Sequence, residues 1–220
     1  MSGRRPWAAL LAGLACSAAV LVAPSAGAAG GRLTCHSGTT VFHSGSTRLF
    51  WATRGRAGAR HPVWYACGSA LRTPHRFVGG SHASVDVVGH FRASGTRVGF
   101  VWEQLRTVGF GVEARMSIGW VDVTTGAERD ALLGSPGGVG FGDVMSVAVG
   151  DDGAMASVVK AGGDSEVIGY APNGPAGLAP PQPVATVPGG DVMPGSLTVS
   201  NGQVSWSTRS GAMGAVRVGG

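Results

Sequence analysis

Four stretches of the chain share one arrangement of apolar and polar positions. Each is an apolar strand, a polar turn holding glycine, then a second apolar strand ending in aromatic or β-branched residues. They are Val41-Phe-His-Ser-Gly-Ser-Thr-Arg-Leu-Phe-Trp51, Phe91-Arg-Ala-Ser-Gly-Thr-Arg-Val-Gly-Phe-Val-Trp102, Val147-Ala-Val-Gly-Asp-Asp-Gly-Ala-Met-Ala-Ser-Val-Val159 and Leu197-Thr-Val-Ser-Asn-Gly-Gln-Val-Ser-Trp206. The turns are expected at Ser44-Gly45, Ser94-Gly95, Asp152-Gly153 and Asn201-Gly202, because Asp-Gly and Asn-Gly suit turns that need positive φ. The turn glycines stand 50, 58 and 49 residues apart.

A further strand follows each hairpin at a matching place: Val63-Trp-Tyr-Ala-Cys67, Ile118-Gly-Trp-Val-Asp-Val123, Val167-Ile-Gly-Tyr170 and Ala215-Val-Arg-Val218. In two cases another turn and strand continue the pattern, through Gly68-Ser69 to Arg76-Phe77-Val78 and through Thr125-Gly126 to Ala131-Leu132-Leu133. The pattern predicts an all-β chain of about four antiparallel units, each of three to four strands in roughly 50 residues, the size of a propeller blade. No stretch beyond the N-terminus combines a helical period with caps. The Pro-rich segment Pro172 to Pro183 reads as a mobile loop inside the third unit.

The repeat, with Asp122-Val-Thr-Thr-Gly126 closing a strand, resembles WD-like and related secreted bacterial β-propellers. Cys35 with Gly38-Thr-Thr-Val41, followed by Val63-Trp-Tyr-Ala-Cys67, is more closely similar to a group of exported actinobacterial repeat proteins. The resemblance spans Gly31 to Gly219 and implies a fold without an activity, since it brings no catalytic motif. The fourth unit ends at Gly220 after barely two strands. Arg32 to Val41 is the favoured source of a missing strand that would close the ring; the alternative is an open, curved array with exposed edges.

Composition narrows the picture. Of 220 residues, 39 are Gly, 44% are hydrophobic and only 13% are charged, which excludes charge-driven disorder. The glycines have no three-residue period, which excludes collagen. Met1 to Ala28 reads as a secretory signal: Arg4 and Arg5 form the basic start, Trp7 to Val22 the apolar stretch, and Ala26-Gly27-Ala28 the cleavage site, with cutting after Ala28. The remainder, 29–220, is expected to be one domain, exported without a membrane span. Twin-arginine export through Arg4-Arg5 and lipid attachment at Cys16 are the competing readings.

Beyond Ala28 there are 15 basic and 12 acidic residues, a net charge of +3. Eleven arginines lie between Ala29 and Trp120 against Asp86, Glu103 and Glu113. They are scattered singly and not interleaved with stacking aromatics, so no nucleic-acid partner is expected. Cys35 and Cys67 are expected to form a disulfide, with a metal site shared with His36, His43 and His61 as the rival. All six histidines lie between His36 and His90, but none shows a paired ligand spacing.

No hydrolase motif is present. Gly138-Val-Gly-Phe-Gly142 lacks a following helix to hold phosphate. His82, Asp86 and His90 would align as metal ligands only on a helix, and Val85-Asp-Val-Val88 reads as strand. Asp151-Asp152-Gly153 starts like a calcium loop but reads as a hairpin turn. The recurring Trp51, Trp102, Trp206 and Trp64, Trp120, Tyr170 are expected in the core between units, with sugar stacking as the rival. No catalytic residue, cofactor or metal is expected. Two functional classes remain: an exported, non-enzymatic binding or scaffolding module for a protein or glycan of the cell envelope, and a propeller-type enzyme acting on a glycan or lactone at the central opening.

Overall fold

The computed structural model describes residues 32–218 apart from 56–59, 72, 80–83, 134–140 and 175–176. The expected signal segment, with Cys16 and Ala28, lies outside the described residues, as do His82 and most of Gly138 to Gly142. The chain is built from strand β1 (Thr39–Ser44), β2 (Thr47–Arg54), β3 (His61–Cys67), β4 (His75–Gly79), β5 (Ser84–Ser94), β6 (Arg97–Val108), β7 (Gly111–Asp122), β8 (Glu128–Leu132), β9 (Val144–Val149), β10 (Met155–Ala161), β11 (Asp164–Tyr170), β12 (Gln182–Val187), β13 (Thr198–Ser200), β14 (Gln203–Ser207) and β15 (Met213–Arg217).

These strands form four antiparallel sheets in sequence order: β1-β2-β3-β4, β5-β6-β7-β8, β9 to β12, and β13-β14-β15. The fold is all-β and propeller-like, and no sheet closes on itself. Consecutive units pack face to face. Leu49, Trp64 and Phe77 of the first unit meet Val98, Phe100 and Val121 of the second. Val101, Ile118 and Trp120 of the second meet Val149, Met155 and Ile168 of the third. Ala156, Val158 and Val167 of the third meet Val199, Val204 and Trp206 of the fourth. Units two and three therefore bury both faces of their strands, which explains why Ile118–Val121 and Met155–Val159 are runs of buried residues without alternation.

The ends of the array are finished differently. In β14 burial alternates: Val204 and Trp206 point inward, while Gln203, Ser205 and Ser207 share the other face with Thr198 and Ser200 of β13. That face is mostly polar, with Met213 and Ala215 of β15 as its apolar exceptions, which suits a terminal cap. The outer face of the first unit is apolar and is covered from within its own chain. Leu33 and Cys35 pack on Phe50, Val63, Tyr65 and Cys67, and a Cys35–Cys67 disulfide with Cα atoms 5.8 Å apart fastens the strap. Arg48 holds it further, its Nε donating to Thr40 Oγ1 at 2.7 Å and its guanidinium to the Ser37 carbonyl at 3.0 Å, with the cation 4.6 Å from the centre of the Phe50 ring.

The segment expected to close the ring does not do so. Thr39–Ser44 pairs with β2, residues 32–38 lie on the first unit, and among the described residues the fourth sheet has three strands, all its own. The physical reason is the polar outer face of that last sheet, against which a closing unit would bury hydroxyls and amides without partners.

The turns also differ from expectation by a residue. Ser44 pairs with Thr47 and Ser94 with Arg97, so the two-residue turns are Gly45-Ser46 and Gly95-Thr96. The third connection spans Gly150 to Ala154, closed by the Gly153 amide on the Gly150 carbonyl and the Ala154 amide on Asp152 Oδ1 at 3.0 Å. Only Asn201-Gly202 turns as expected, with φ of 51° and 69° at the two residues. The Pro-rich segment is partly pinned rather than loose: Leu178 is buried in the core between units two and three, and the Ala179 amide donates to the Ala171 carbonyl at 2.8 Å. β12, which begins within it at Gln182, supplies the third unit's fourth strand, which the Pro-rich approach conceals in the sequence.

Candidate functional site

Two concave features stand out, one on the first unit and one where the first strands of units two and three meet. The first follows from strand alternation. Trp51 pairs with Trp64 and Thr53 with Pro62 across β2 and β3, and opposed residues on alternate positions share a face. These four, with Arg60 and His61 at the start of β3, line a cleft of about 370 Å³. Trp64 is buried, and its indole N–H meets no hydrogen-bond acceptor among the described residues. Trp51 is only half-buried. The result is an aromatic floor with Arg60 exposed at the edge.

The second feature is built by irregular strands. β1, β5 and β9, the first strand of each of the first three units, all carry a bulge: Thr40 to Phe42, Gly89 to Arg92, and Val144 to Ser146. A bulge places an extra residue in the strand and re-aims its neighbours. In β5 the bulge holds His90 at φ 55°, a conformation uncommon for a side-chain-bearing residue. His90, Phe91 and Arg92 of β5 and Met145, Ser146 and Val147 of β9 line a pocket of about 150 Å³, with Gly195 from the loop before β13. Arg92 donates to the Gly195 carbonyl at 3.3 Å.

The other residues singled out from sequence lie elsewhere. Asp122 is structural. Its Oδ1 accepts from the Thr124 amide at 2.8 Å, the Thr124 hydroxyl at 2.6 Å and the Thr125 amide at 3.1 Å, and its Oδ2 accepts from Thr96 Oγ1 at 2.9 Å. Burial pushes its pKa up, but these four hydrogen bonds outweigh burial and hold it at about 2. Asp86 is buried on β5 and accepts from Trp102 Nε1 at 3.2 Å and Gln104 Nε2 at 3.3 Å. Among the described residues no three His, Cys, Asp or Glu side chains are grouped to hold a metal. Asp151 belongs to the junction of units two and three, where Ser94 donates to it at 3.2 Å. Beside it Arg97 lies 4.8 Å above the Trp120 ring, and Trp120 Nε1 donates to the Gly153 carbonyl at 3.0 Å.

The tryptophans divide. Trp64, Trp120, Trp206 and Tyr170 are buried in the packing between units, while Trp51 and Trp102 are half-buried. Trp51, Trp102 and Trp206 do not recur at equivalent pairing positions: they follow the last residue of the preceding strand by seven, eight and six residues. The bulges, on the preceding strands, are a separate irregularity that no sequence pattern reveals. Neither the cleft nor the pocket has a spacing motif. The tryptophan at the end of the first hairpin is the signal that could have pointed to the cleft.

No protein-family model matches the chain, and no curated protein matches it. Among the described residues no helix is long and apolar enough to cross a membrane. The disulfide is compatible with a secreted protein.

Proposed function

We propose that this chain is an exported, non-enzymatic binding module of the cell envelope, and that the cleft between Trp51 and Trp64 receives a saccharide. The observation that carries this reading is the paired tryptophans on one strand face, with Trp51 half-open and Arg60 at the rim. A partly exposed indole offers a flat apolar surface to the C–H face of a sugar ring, and a volume of about 370 Å³ suits one or two rings. The resemblance of Cys35, Gly38 to Val41 and Val63 to Cys67 to exported actinobacterial repeat proteins is in keeping with a place outside the cell.

The rival, an enzyme acting on a glycan or lactone, would need converging carboxylates or histidines at the inner strands. The pocket there offers one histidine and, among the described residues, no carboxylate. The test is titration of the intrinsic tryptophan fluorescence with N-acetylglucosamine oligomers and with oligoglucuronate. Binding at the cleft gives a saturable change that weakens at least tenfold in Trp51→Ala and persists in Trp102→Phe. No saturable response to either probe by a folded protein rejects the saccharide reading.

A further inference from the structure

We propose that the pocket between the bulges of β5 and β9 binds an oxyanion, a carboxylate or phosphate group. Three independent features converge on it. Both strands that line it leave regular pairing at that point, at Gly89 to Arg92 in one and at Val144 to Ser146 in the other, and such bulges are enriched where a side chain must be re-aimed toward a site. His90 sits within the β5 bulge at φ 55°, a backbone strain that the surrounding structure must hold in place. The polar side chains that line the pocket are His90, Arg92 and Ser146, all able to donate hydrogen bonds.

Arg92 is exposed and gives one N–H contact to the Gly195 carbonyl, at 3.3 Å. A guanidinium carries five donors in a fixed fork that matches two oxygens of a carboxylate or phosphate. With about 150 Å³ available, the pocket admits the charged group and not a large ligand body. An anion there would touch units two and three and the loop leading to unit four, so occupancy ties three units together.

The experiment measures melting temperature and calorimetric binding with inorganic phosphate and, separately, with acetate, at ionic strength held constant with sodium chloride. The expected result is saturable binding of at least one anion with a rise in melting temperature. Saturation by phosphate alone assigns a phosphate group, by acetate alone a carboxylate, and by both the shared oxyanion chemistry. Arg92→Gln should weaken binding at least tenfold, Arg92→Lys should restore part of it, and Arg209→Gln, a distant loss of one charge, should leave it unchanged. The saccharide response of the cleft should be unaltered in Arg92→Gln, which separates this proposal from the cleft reading. Absence of saturation with both anions, or equal weakening by Arg92→Gln and Arg209→Gln, overturns it.

Discussion

Asp122 shows how one side chain can organise two turns of one unit together. It accepts three hydrogen bonds from the turn Thr124-Thr125 and one from Thr96 in the hairpin of the same unit. Its carboxyl is held at about 2, against an ordinary value of 3.8. A carboxylate with a lowered folded pKa stabilises the fold fully above the ordinary value, and that contribution disappears as pH falls toward the lowered one. Acid unfolding followed by circular dichroism should therefore show about 2 kcal/mol lost between pH 4 and pH 2 in the native chain but not in Asp122→Ala. At pH 7, Asp122→Ala should cost about 2 kcal/mol, read by urea denaturation.

The turn glycines make a second residue-scale case. Gly45, Gly95, Gly153 and Gly202 all have positive φ, of 55°, 54°, 86° and 69°. Valine at any of the four should cost roughly 1–3 kcal/mol. Gly177, which as part of a mobile loop should tolerate valine, is buried at φ 116°, with the Asp130 carbonyl 3.4 Å from where a Cβ would stand. Its replacement should be as costly as that of the turn glycines. The turn-forming dipeptides were thus legible as glycine positions, while the burial of Gly177 depends on a contact with the second unit that no local pattern reveals.

At the scale of elements, the strap of residues 32–38 and the bulged first strands carry most of what the sequence concealed. The disulfide was readable from the two cysteines beyond the expected signal segment, but its purpose was not. It closes over the outer face of the first unit, where Phe50, Val63 and Tyr65 would otherwise face water. Replacing both cysteines by serine should cost roughly 3–4 kcal/mol by loop-closure entropy alone. Thermal unfolding in the presence and absence of reductant checks this, and an unchanged melting temperature would show that the strap is held by its packing and Arg48 instead. The repeat is visible but imprecise: β1, β5 and β9 each carry one extra residue and β13 none, and separately the tryptophans of β2, β6 and β14 stand at different distances from their turns.

For the whole molecule, the four units and their order follow from the hairpin repeat, whereas the open ends follow from which faces are polar. Middle units carry buried runs such as Val98 to Val101, because each is covered on both sides. The last unit alternates through Thr198, Val199, Ser200 and then Gln203, Val204, Ser205, Trp206, which is the mark of a sheet with one wet face. That alternation was present in the sequence and argues against the closing strand expected from Arg32 to Val41. In a linear array each unit is stabilised mainly by its neighbours, so disturbance should fade with distance along the chain.

Hydrogen exchange on the Cys35→Ser, Cys67→Ser chain, compared with the unaltered protein, tests this most directly. Releasing the strap should lower protection most in β1 to β4, less in β5 to β8, and leave β13 to β15 unchanged. Loss of protection in β13 to β15 equal to that in β1 to β4 would mean that the first and last units support each other, and would contradict the open array.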